Sequence, residues 1–172
     1  MRWFSSLATF AMLLAVLGAC GDDDDTNGPA TEFTATLTGT EEVPPVPTTA
    51  TGTADLTISG AQISYTINVV DLQNAVVAHI HIEAPGVNGP VRLNLCGTGD
   101  PVPPCVSGTG VLATGANGTM VGTPAITFDS LVSAMRTGGA YVNVHTDNGV
   151  APPNTGPGDM ATGEIRGQIS AQ

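Results

Sequence analysis

The chain has 172 residues, a formal net charge of −11 and no lysine, so its four arginines are the fixed cations. That balance excludes a nucleic-acid partner, because phosphate binding needs clustered cations. With 22 glycines and 13 prolines, and Ala, Val, Thr and Ile dominant, the composition speaks for short strands joined by many turns.

The first residues do not belong to the fold. Met1-Arg2 is a short basic start, Trp3 to Leu17 is mostly apolar, and Leu17-Gly18-Ala19-Cys20 follows. The apolar run is too short for a membrane helix of about 20 residues and reads as a signal peptide over 1–19. Leu-Gly-Ala-Cys matches a bacterial lipobox, in which cleavage leaves a lipid-modified Cys20 at the new N-terminus. The alternative is an ordinary signal peptide with an incidental cysteine. Lipidated, the protein is anchored to a membrane without spanning it. Residue 21 is Gly rather than Asp, so no inner-membrane retention signal stands there. The expected location is the cell envelope, on the outer membrane where the host has one. Residues 20–30, with four consecutive aspartates, read as a self-repelling disordered tether. Residues 31–172 are long enough for one domain with its own core.

Within that domain Glu32 to Leu37 alternates with period two and predicts a strand, stopped at Gly39. Glu42-Val43-Pro44-Pro45-Val46-Pro47 cannot join a central ladder, since proline has no N–H to donate, and reads as an extended connection. Gly52 to Ile58 and Ile63 to Val69 alternate across Ser59-Gly60 and predict a hairpin. Asp71 to Asn74 reads as a loop. Ala78-His79-Ile80-His81-Ile82-Glu83 is the next strand, with His79, His81 and Glu83 on one face. Pro85 to Pro90 is a turn cluster, and Val91 to Cys96 a further strand.

Cys96 and Cys105 bracket a short loop, and in an exported chain a disulfide is the default for such a pair. It contributes roughly 2–3 kcal/mol on the entropic account. A metal–thiolate site is the rival reading. Val111 to Met120 is glycine-rich and too weakly patterned to assign. Phe128, Leu131, Val132 and Met135 fall at i, i+3, i+4 and i+7, predicting one helix with Thr127 as N-cap and Gly138-Gly139 as its end. Ala140 to Thr146 is a strand whose Tyr141, Asn143 and His145 face away from the core. Gly163 to Ile169 is the last. The elements predict an all-β, antiparallel Greek-key sandwich or barrel of about seven to eight strands with one short helix.

The chain has three histidines. His79 and His81 stand roughly 6.5–7 Å apart at Cα on one strand face, close enough to share a metal, and His145 is the candidate third ligand. The pattern also fits histidines that hydrogen-bond to loops over an outer sheet face. Imidazole without thiolate or methionine suits Cu(II) on ligand type. Glu83, Tyr141 and Asn143 are candidates to orient the rings. Glu42, Asp71 and Glu164 are acidic, but no spacing marks them as an acid–base pair.

Four stretches resemble the CHRD (chordin-type) domain family. They are Phe33–Leu37 leading to Glu42-Val43-Pro44-Pro45-Val46, Ala78–His81 with Asn88-Gly89-Pro90-Val91, Tyr141–Thr146, and Gly163–Ile169. The resemblance covers nearly all of residues 31–172. It implies an immunoglobulin-like β-barrel and little about chemistry. A weaker resemblance, to copper–zinc superoxide dismutase, rests on His79-Ile80-His81-Ile82-Glu83 with Asn88-Gly89, the strand ending in His145, and Gly167-Gln168-Ile169. It implies copper ligands at His79, His81 and His145. That family's bridging histidine and zinc loop have no counterpart here. Its active-site arginine would fall near Gly163, and Arg166 falls where it has a disulfide cysteine. Two functions follow as expectations: a membrane-anchored, non-catalytic binding or adhesion module, or a periplasmic protein holding one copper ion, with dismutase-like activity as the candidate chemistry. A monomer with an unspecified protein or small-molecule ligand is expected.

Overall fold

The computed structural model describes Met1 and residues 29–97, 101–116 and 118–172. The expected signal peptide, Cys20 and nearly all of the tether lie outside the described residues.

The described chain forms β1 (Glu32–Thr38), a 3₁₀ turn (Gly39–Glu41), β2 (Thr51–Ser59), β3 (Gln62–Leu72), β4 (Ala75–Ile82) and β5 (Val91–Cys96). It continues through β6 (Gly108–Ala116), β7 (Thr119–Met120), α1 (Phe128–Arg136), β8 (Ala140–Thr146), β9 (Ile165–Gln168) and β10 (Ser170–Ala171). The strands form one antiparallel sheet in the order β6-β3-β2-β1-β9-β8-β4-β5-β7, with β10 also on β1. The sheet curls into a nearly closed barrel. Its seam is bridged where the buried Tyr65 hydroxyl on β3 donates to the Leu95 carbonyl on β5 at 2.5 Å.

Alternation decides which residues line the interior. Phe33, Ala35 and Leu37 of β1 are buried, as are Ala54, Leu56 and Ile58 of β2. Ile63, Tyr65, Ile67 and Val69 continue the set on β3, and Ala78, Ile80, Val142 and Val144 supply it from β4 and β8. The helix adds Leu131, Val132 and Met135 from one stripe. Its N-cap is Thr127, whose side chain accepts from Ser130 N–H. The hairpin turns at Gly60, which has φ +59°. Cys96 and Cys105 are disulfide-bonded.

Three details differ from the sequence expectation. The strand β3 runs on through Asp71 to the fully buried Leu72. Apolar burial thus carries the ladder into the stretch expected to be loop. The unassigned glycine-rich stretch holds most of β6, which begins earlier, at Gly108, and pairs along β3, and the two-residue β7 against β5. The face of β4 and β8 that points away from the interior is not open sheet surface: Tyr141, Asn143 and His81 are buried beneath loops.

Candidate metal centre

Register brings the histidines together. In the antiparallel β4–β8 pair, His79 lies opposite Asn143, His81 opposite Tyr141 and Val77 opposite His145. His145 is therefore the diagonal neighbour of His79 on the same face. The three rings offer nitrogens that all lie within 4.8 Å of one another. One pair, His79 Nδ1 and His145 Nε2, is 3.3 Å apart. Bonds of about 2.0–2.1 Å to one ion allow two ligand nitrogens to stand at most about 4.2 Å apart. The widest permitted separation here closes by about half an ångström of ring movement.

Two backbone carbonyls fix the tautomers. A carbonyl only accepts, so His81 Nδ1–H donates to Gly89 O at 2.9 Å and His145 Nδ1–H donates to Ala161 O at 3.0 Å. That leaves the His81 Nε2 lone pair free, while His145 Nε2 accepts from His79 Nδ1–H at 3.3 Å, a bond that a shared ion would replace. His81 Nε2 is buried and has no hydrogen-bond partner, a costly arrangement for an acceptor unless something else meets it. Burial, and then the neighbouring imidazoles, hold His79 down at about 4. His81 also sits at about 4, chiefly through burial, against the opposing pull of its Gly89 bond. Burial pushes His145 in the same direction. Neutral imidazole is the form that binds metal.

The loops over this face are held by side chains on β8 and β9. The Tyr141 ring stacks on His81, with centroids 4.8 Å apart and planes 12° from parallel. Its hydroxyl accepts from Gly89 N–H at 3.0 Å. Arg166, opposite Asn143 on β9, lies with its guanidinium carbon 3.4 Å from the Tyr141 ring centroid. It donates to Val87 O at 2.9 Å and Asn88 Oδ1 at 3.2 Å. Asn88 in turn donates to Val43 O at 2.7 Å, tying the proline segment to the same cover. Glu164 accepts from Thr48, Thr146 and Gly158, each at 2.7 Å. That pins the loop carrying Ala161.

Of the candidate orienting residues, Tyr141 touches His81 directly. Asn143 lies between His79 and Arg166 in the register and donates to Glu42 Oε2 at 3.5 Å. Glu83 is placed otherwise, its carboxylate accepting from Ala84 N–H at 3.0 Å. The carbonyls of Gly89 and Ala161 hold the imidazole N–H groups instead. Sequence reasoning named Glu42, Glu164 and Arg166 but gave them no part in the site. Glu42 is buried and has an unpartnered Oε1, and burial lifts it to about 7 against the pull of Arg166. A signal for Arg166 was present: it is one of four cations and alternates with Ile165 in a strand pattern.

Fold and face together define a β-barrel domain with a three-histidine cluster under loops on its outer wall. The CHRD domain family model matches residues 33–153, and the chain belongs to that family. The match takes in all three histidines and stops short of β9 with Arg166. Comparison with curated proteins gives no match.

Proposed function

We propose that this CHRD domain is a non-catalytic binding module whose ligand is one copper ion, held at the cell envelope by a lipid on Cys20. One observation carries the metal reading: three imidazole nitrogens within 4.8 Å of one another, with the buried His81 Nε2 unpartnered. Copper is favoured by an all-imidazole donor set and by its place at the top of the affinity order for nitrogen ligands. A binding role rather than dismutase-like turnover is favoured by Arg166, which spends donors on Val87 and Asn88 and packs on Tyr141. The anchor reading rests on the Leu17–Cys20 motif.

Copper titration of the purified protein, supplied as Cu(II) or as Cu(I) under ascorbate, tests the first part. One equivalent binds, and His79→Ala, His81→Ala and His145→Ala each weaken binding by about 10–100-fold or more. Binding of neither state tighter than about micromolar overturns it. Fractionation tests the second part: Cys20→Ser moves the protein out of the membrane fraction, and an unchanged membrane fraction overturns the anchor.

A further inference from the structure

Resting on the copper reading above, we propose that this centre holds copper as Cu(I) in preference to Cu(II), and that Arg166 contributes to that preference. Ligand type alone points to Cu(II); charge and coordination number, now visible, point the other way.

Coordination number comes first. Among the described residues the converging group comprises three imidazoles, with no carboxylate or thiolate. A ring of three nitrogens satisfies Cu(I), whereas Cu(II) seeks a tetragonal shell of at least four donors. His81, the most buried of the three, is 7% exposed, so a further donor has to arrive from the side of His79 and His145.

Charge is the second argument. The three ligands are neutral, so nothing in the ring offsets the metal's charge. The acidic side chains of the neighbourhood are directed elsewhere. Glu42 is engaged with Asn143, Glu83 with Ala84, and Glu164 with Thr48, Thr146 and Gly158. Arg166 is the fixed charge that faces His81 across the Tyr141 ring. Strand order β4-β8-β9 puts His81 and Arg166 on opposite flanks of Tyr141, one stacked on its ring and the other over it. Arg166 is 1% exposed, so water screens it little, and its repulsion of an ion doubles when the ion's charge doubles. Burial by itself also disfavours the higher charge.

The test is a pair of chelator competitions on the purified full chain, bicinchoninate for Cu(I) under anaerobic ascorbate and nitrilotriacetate for Cu(II). The expected result is a Kd for Cu(I) at least about a hundredfold below that for Cu(II). Arg166→Gln narrows the ratio by about tenfold, while Arg166→Lys, which keeps the charge, retains most of it. If Arg166→Gln does not fold, the unaltered protein and Arg166→Lys decide. Equal or tighter Cu(II) binding overturns the preference and leaves the copper reading standing. A ratio unmoved in folded Arg166→Gln removes Arg166 from the account. Failure of both ions to bind tighter than about micromolar overturns the copper reading itself.

Discussion

Individual side chains on the covered face titrate in opposite senses, and the signs give two predictions. His79 and His81 lie at about 4 in the folded chain, below the ordinary 6.5. Between those values the unfolded chain binds more protons, so these residues make stability fall as pH drops from about 6.5 towards 4. Copper affinity is expected to be flat from pH 8 to about 6 and to fall only as pH approaches 4–5, where protons compete for the rings. A pH series of the chelator competition checks this; a midpoint near 6.5 would show the imidazoles to be solvated. Glu42 behaves oppositely. Its folded value of about 7 exceeds the usual 4.5, so its contribution is present at low pH and lost as pH rises through 7. Protonated, its Oε1–H can donate to Asn143 Oδ1 while its Oε2 accepts from Asn143 Nδ2. That satisfies two buried atoms which otherwise have no partner. Glu42→Gln is expected to be more stable than the parent at pH 8, by on the order of 3 kcal/mol, with the difference shrinking by pH 5. Urea unfolding at the two pH values measures it.

At the level of elements, the turn between β4 and β5 supports the site. A Cβ at Gly89 would lie 2.1 Å from Ile82 O and 2.6 Å from Glu83 Cβ, so the backbone must move and take the carbonyl away from His81. Gly89→Ala is expected to weaken copper binding about tenfold as well as destabilising the fold. Gly86→Ala in the same turn meets no atom within 4 Å but has φ +75°. It should cost about 1 kcal/mol of stability and leave copper affinity unchanged. Elements with clean periodicity were legible: β1, the β2–β3 hairpin, β4, β5, β8, β9 and α1 all stand where alternation or the helical stripe puts them. The strand β6 was not, because Gly108, Gly110 and Gly115 dilute its pattern and several of its residues stay exposed. The contacts that hold the cover over the histidines were not legible either. Glu42 meets Asn143 across 101 residues and Arg166 meets Asn88 across 78, and such pairings are set by the folded chain rather than by local spacing.

For the molecule as a whole, the bond from β3 to β5 links the two ends of the sheet. Tyr65→Phe leaves the buried Leu95 carbonyl without its donor and is expected to cost about 1–3 kcal/mol, read as a lower thermal midpoint with the copper stoichiometry unchanged. An equal loss of copper would show that seam and metal face are coupled. His79, His81 and His145 stand on β4 and β8, each hydrogen-bonded to a strand on both sides. Amide protons of such interior strands exchange with deuterium only when the whole domain opens. A captured ion should therefore slow deuterium uptake across β4 and β8 together, by the factor its affinity and concentration dictate.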